Sequence, residues 1–193
     1  MTNSTRSRLL WKKFLLLKRS EGAQLLEFAL SLPILLVVMI GIFDFGQAWN
    51  TKQELANAVR EGLRIGSEAP TADLTQSSCS SPSASSPCSV QAIADAVKQY
   101  MVNTGLNASC LTPNSPSSSS GFSWTYTCGN GTSMTINRGY TFTDSNGKTV
   151  VGTRVSLTYP YTWTLNRIIG LLAGSTLSLP STLTSSGVMQ NFG

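Results

Sequence analysis

An apolar run from Phe28 to Phe43, broken only by Ser31, Pro33 and Gly41, limits what this chain can fold into more than any other feature. Counted from Leu25 to Phe45 it has 21 residues, close to the roughly 20 that a helix needs to cross a bilayer core. Pro33 does not exclude a spanning helix, because neighbours and local adjustments satisfy the carbonyl that proline frees. No second stretch approaches that length, so the chain of 193 residues reads as one crossing and one modest domain. Glu27 stands at the mouth of the run. Stripping a carboxylate of water costs several kcal/mol on most scales, so an acid held there needs a partner. A cut after Gly22 would make one, by freeing the amine of Ala23 four residues away.

Charge orients the crossing. Residues 1–20 hold Arg6, Arg8, Lys12, Lys13, Lys18 and Arg19 and no acid, a local charge of +6. The positive-inside bias places this end in the cytoplasm and the residues after about Trp49 outside. The net +5 is therefore no sign of nucleic-acid binding, since residues 23–193 carry eight bases and eight acids. A secretory signal peptide is the rival reading of this N-terminus. Its apolar region is usually about 7–15 residues long and ends in a small-residue cleavage site. Here the region is longer, and Gly46-Gln47-Ala48 runs into a helical pattern instead of a loop.

Four cysteines, Cys79, Cys88, Cys110 and Cys128, all lie beyond the anchor, as expected of an oxidising exterior. Four allow three pairings, and neighbours in sequence are the favoured ones: Cys79 with Cys88 and Cys110 with Cys128. Without CxxC spacing or any histidine, a zinc site is not expected, and the sequence implies no cofactor.

The helical pattern continues beyond the anchor. Trp49, Ala56, Val59 and Leu63, with Leu55 beside them, recur at helical spacing, and Pro70 is the expected stop. A helix from about Glu21 to Glu68 would span roughly 70 Å. Before it, Leu9-Leu10-Trp11 and Phe14 to Leu17 around Lys12 and Lys13 read either as a short interfacial helix or as an ordinary basic leader. A Ser/Pro loop covers 77–89. A second helix then carries Val90, Ile93, Ala94, Val97, Tyr100 and Met101 on one face, with Ser89 as N-cap and Gly105 as terminator. After a second Ser-rich loop at 113–121 come strands. Phe122–Cys128 and Ser133–Arg138 form one expected hairpin, and Tyr140–Thr143 and Thr149–Tyr161 a second, turning at 144–147. Ile168–Leu172 reads as a helical turn or crossover, and Thr176–Met189 as a last extended stretch. The expected fold is α+β: a long N-terminal transmembrane helix continuing into a small domain with a second helix and an antiparallel sheet. Its divisions are residues 1–22 as a basic leader, 23–68 as the transmembrane and extended helix, and 69–193 as the outer domain.

The segment Gly22-Ala23-Gln24-Leu25-Leu26-Glu27-Phe28, the apolar run with Pro33, and Gly41-Ile42-Phe43-Asp44-Phe45-Gly46 resemble the TadE-like pseudopilins of tight-adherence pilus systems. Ala58-Val59-Arg60-Glu61-Gly62 also resembles that family, whereas the C-terminal part does so only loosely, and TadF-like relatives stay open as a label. The resemblance implies a bacterial inner-membrane protein, crossing once, with a cytoplasmic N-terminus and a periplasmic domain that can enter an extracellular pilus. It implies a prepilin peptidase cutting between Gly22 and Ala23, and a role in pilus assembly, adhesion and biofilm formation. Other pilins, the membrane and the inner-membrane assembly platform would be the partners. Glu27, beside Phe28, would align subunits through the new amine, since amine and carboxylate at a low-dielectric boundary are costly alone and tolerable together. The plainer reading of Glu27 is an acid suited to a helix N-terminus in the headgroup layer. Asp44, near the outer end of the span, is expected to reach water.

Two other classes compete. An anchored enzyme is disfavoured, because without histidine a Ser nucleophile needs Lys or an acid as base, and after residue 70 only Asp73, Asp95, Asp144, Lys98 and Lys148 are available. An anchored adhesion or ligand-binding module outside any fibre would need Trp124, Tyr126, Tyr140, Tyr159, Tyr161 and Trp163 as an aromatic platform. Three aromatics on one wet face would support it, whereas cross-strand core pairs are the commoner use of such residues.

Overall fold

The computed structural model describes residues 4–75, 85–174 and 178–192. The chain divides into two compact units, residues 1–45 with 164–177, and residues 46–163 with 178–193. Helix α1, Ser4–Glu68, contributes to both. It begins well before the Glu21 expected from sequence. Between Ser4 and Ser20 the chain has neither glycine nor proline and many Leu, Lys and Arg residues, all good helix formers. Gly22 costs about 1 kcal/mol relative to alanine in a helix interior, too little to stop it.

In the first unit α1 carries Pro33 inside the helix, so the carbonyl four residues earlier loses its donor. Leu25, Leu26, Phe28, Leu30, Ile34 and Leu35 are all well exposed and lie on every side of the axis. A helix apolar all round is built for burial in something other than water. Among the described residues it is the one helix long and apolar enough to cross a membrane, consistent with a single-pass anchor. The unit also holds α3, Thr164–Ala173, which the sequence showed only as a short apolar segment.

The second unit is a helix-on-sheet layer. Its sheet has five antiparallel strands in chain order: β1 Ser118–Ser120, β2 Ser123–Thr127, β3 Ser133–Thr143, β4 Thr149–Pro160 and β5 Thr182–Gln190. The two hairpins read from sequence share one long strand. Ser133–Arg138 and Tyr140–Thr143 are joined across a bulge, where Arg138 and Gly139 face Thr153 between the pairs Asn137↔Arg154 and Tyr140↔Gly152. The Ser-rich stretch taken as loop contains β1, a polar edge strand with no apolar alternation to reveal it.

One face of the sheet packs on the second half of α1 and on α2, Cys88–Asn103. The core joins Leu55, Val59 and Leu63 to Ile93, Val97 and Met101, and both groups to Tyr126, Ile136, Val155 and Leu157 of the sheet. Ala58, Gly62 and Gly66 form a small-residue stripe where these layers approach most closely. A Cβ on Gly62 would come 2.5 Å from Val97 Cγ2, and one on Gly66 3.0 Å from Thr153 Cγ2. The buried stripe of α1 differs from expectation at two places: Trp49 is 58% exposed whereas Ala48 is buried, and Ala58 is buried where Ala56 is only half-buried.

Helix α2 ends as the sequence indicates. Gly105 takes φ +83°, Leu106 N–H bonds Met101 O and Gly105 N–H bonds Val102 O, the two bonds of a Schellman cap. Its start differs. Pro87 holds the cap position, and the missing acceptor comes from outside the helix. Asp73 takes Ser89 N–H at 2.7 Å and Ser89 Oγ–H at 2.9 Å. Ser89 is therefore a capped residue and not the cap.

Candidate functional site

Gly22, Ala23, Glu27 and Phe28 lie on one uninterrupted stretch of α1, and all four are exposed. A Cβ on Gly22 would meet nothing within 4 Å, so its backbone is approachable from the side. Ala23 and Glu27 are separated by one helical turn, the spacing that puts two groups on the same face. No hydrogen bond or ion pair joins the Glu27 side chain to another described residue. Ser31 Oγ donates back to Phe28 O at 3.1 Å, a local bond that keeps the serine's polarity inside the helix.

Asp44 behaves differently from Glu27, and differently from its sequence-based reading. Its side chain is buried, at 3% exposure, instead of reaching water. Its Oδ2 accepts Leu165 N–H at 2.9 Å, in the first turn of α3, where the leading N–H groups of a helix lack internal partners. The carboxylate therefore serves as a cap supplied by another helix. Sequence gave only the anomaly, an acid at the edge of an apolar run.

In the sheet-bearing unit the most heavily used polar side chain is Arg138, which sequence reasoning passed over as a strand end. It is 1% exposed. Its Nη1 donates to Gly66 O, and its Nη2 donates to Ala69 O and Pro70 O at 3.0 Å each. These are carbonyls at the C-terminal end of α1, where a cation also suits the helix dipole. Burial lowers the Arg138 pKa from its ordinary value, and nearby Asp73 opposes that shift. The bulge at 138–139 aims this side chain at the helix end.

Cys110 and Cys128 form a disulfide with an S–S distance of 2.05 Å. Cys88 is also disulfide-bonded; Cys79, its expected partner, lies outside the described residues. Two of the three acids weighed for catalysis serve structure: Asp73 caps α2, and Asp144 Oδ1 accepts Asn146 and Lys148 N–H within the hairpin turn. No group of three or more potential metal ligands occurs among the described residues. The six aromatics do not assemble on one wet face. Trp124 and Tyr126 are core, Tyr140 lies under the Arg154 guanidinium at 5.0 Å, and Tyr161 meets Trp163 edge-on.

The family model described as TadE-like protein matches residues 22–64, so the resemblance carried by the Gly22 segment is found. The match opens on Gly22 and closes within the buried half of α1, leaving the sheet outside it. No curated protein and no solved structure matches the chain.

Proposed function

We propose that this chain is a minor pilin of a tight-adherence pilus, made with a leader of residues 1–22 that a prepilin peptidase removes between Gly22 and Ala23. The anchor and extended helix are residues 23–68, and residues 69–193 make the periplasmic domain. The observation that carries this reading is the coincidence of the family match, which starts at Gly22, with the helix whose apolar side chains are mostly bare among the described residues. A peptidase must open the helix to reach the bond, and glycine weakens a helix by about 1 kcal/mol relative to alanine. Cutting leaves the Ala23 amine one turn from Glu27, on the same face, in a setting where each charge needs the other. The exposed helix then supplies the contact surface to neighbouring pilins, and the protein primes, tips or helps assemble the fibre and catalyses nothing. An ATPase outside this chain drives extraction from the inner membrane.

The anchored adhesion module is the weaker reading, because its platform loses Trp124 and Tyr126 to the core. Replacing Glu27 by Gln separates the roles. Glu27→Gln chains are expected to be cut normally and to fold normally, since the side chain is exposed, yet to be depleted about tenfold from sheared surface fibres, the scale of a lost charge pair worth about 1.4 kcal/mol. Fibres that incorporate Glu27→Gln as well as the parent protein would remove the assembly role.

A further inference from the structure

Strands β4 and β5 are antiparallel neighbours, paired from Gly152↔Gln190 to Pro160↔Thr182. A tight hairpin turn of two residues suffices for such a pair, yet residues 161–181 intervene and carry α3. This insertion groups with the apolar part of α1. Leu165 Cδ2 lies 3.7 Å from the point that a Cβ on Gly41 would occupy, and Leu165 N–H donates to Asp44. Along α1, Val37, Ile40 and Gly41 are half-buried and Asp44 is buried, whereas Met39, Ile42 and Phe43 stand bare. Those covered positions follow helical spacing and lie within the run expected to span the bilayer.

The sequence of α3, Thr-Leu-Asn-Arg-Ile-Ile-Gly-Leu-Leu-Ala, places Leu165, Ile168, Ile169 and Leu172 at i, i+3, i+4 and i+7. Leu171 is 85% exposed, and Arg167, one turn earlier, is exposed too. An apolar side chain left bare beside a helix of membrane character has hydrocarbon as its natural cover. An arginine beside it reaches out to phosphate while its stem stays among apolar groups.

From these positions we infer that α3 is a second lipid contact of the anchor: an amphipathic helix laid in the outer leaflet alongside residues 37–44 of α1. Acyl chains cover Leu171, and Arg167 sits at the level of the lipid phosphates. The inference rests on the reading of α1 as a membrane span, and it moves α3 from the periplasmic domain to the anchor. It gives Asp44 a purpose at that depth. A helix that starts among lipid tails has N–H groups that water cannot satisfy, and the buried carboxylate takes one of them. A chain held by two helices must withdraw both from the bilayer to enter a fibre.

The test uses the full chain in bilayers of phosphatidylethanolamine and phosphatidylglycerol, with one nitroxide at a time on Leu171→Cys, Arg167→Cys, Ile42→Cys or Val102→Cys. The described cysteines are all bonded, so the added thiol takes the label. Collision with oxygen reports hydrocarbon, and collision with a soluble nickel chelate reports water. Leu171 is expected to match Ile42, with nickel access about tenfold below that at Val102 because hydrocarbon excludes the hydrated ion, and Arg167 is expected to fall between the two. A Leu171 label as open to nickel as Val102, with Ile42 in lipid, overturns the inference and leaves the span intact. A Leu171 label shielded from both reagents also overturns it, by showing a protein contact. Nickel access at Ile42 itself overturns the span reading, and this inference with it.

Discussion

From Leu25 to Phe45, α1 leaves most of its Leu, Ile and Phe side chains bare, on all sides as far as Leu36; from Leu55 to Ser67 it buries one stripe to 5% exposure or less, with Leu55 and Ala58 fully covered. The more apolar half of one helix is thus the less buried half. Burial inside a chain needs a neighbour able to come close, and the second half supplies the opening with Ala58, Gly62 and Gly66. A bulky residue at either glycine would meet Val97, Ile93 or Thr153. In the first half large side chains stand on nearly every face. Gly41 is the main gap, and Leu165 sits over it. Hydrophobicity says that a segment must leave water, and the distribution of small residues says whether its own chain can take it out.

The sharpest way to break this comparison is Arg138→Met. Three helix-end carbonyls would lose a charged donor, and at about 1.5 kcal/mol or more per charged bond the domain should lose on the order of 4 kcal/mol in chemical denaturation. A loss below about 1 kcal/mol would mean that the end of α1 is held by something else. Next comes a matched pair. Leu55→Ala empties a fully buried site and should cost about 3 kcal/mol, whereas Leu26→Ala, on the bare half, should change domain stability by less than about 0.5 kcal/mol. Equal effects would erase the distinction between the halves.

A smaller effect concerns pH. Burial pushes the Tyr126 hydroxyl up to about 12 from its ordinary 10.0. A group whose folded pKa is raised gives stability that is complete below its unfolded pKa and is lost as pH rises through the folded one. The domain should therefore weaken between about pH 10 and 12. Tyr126→Phe should abolish that step in an alkaline melt and cost about 1 kcal/mol at neutral pH. The cost stays small because Pro113 O, which accepts from Tyr126, keeps Ser86 Oγ as a donor. A parent protein with no alkaline loss in that range would contradict the burial of this hydroxyl.

Legibility in the sequence followed the range of the interaction. The end of the long helix near Glu68, the stop of α2 at Gly105, the turn at 144–147 and most strand cores rest on local chemistry, and the structure has them where sequence placed them. The Cys110–Cys128 disulfide also follows sequence order. The failures share a cause. Arg138 reads only as the end of an expected strand, because only tertiary folding brings β3 to the end of α1. Asp73 reads only as one of the few acids after residue 70, although it caps α2 through Ser89, 16 residues away. Asp44 reads as wet, because nothing local announces that α3, 121 residues later in the chain, takes its carboxylate. Trp49 was assigned to the buried face although Ala48 holds it, since residues one apart are hard to separate by period near the end of a stripe. The Gly22 segment was legible as a motif because its meaning is carried by neighbouring residues.

The central claim is that the bare half of α1 is made to be freed at Gly22 and covered by partners outside the chain. The most direct measurement is the N-terminal residue of the protein purified from native membranes, with and without the host's prepilin peptidase. The account predicts a start at Ala23 that disappears when the peptidase is absent. A start at Met1 in both preparations would contradict it and leave an ordinary anchored protein whose function rests in the sheet-bearing unit.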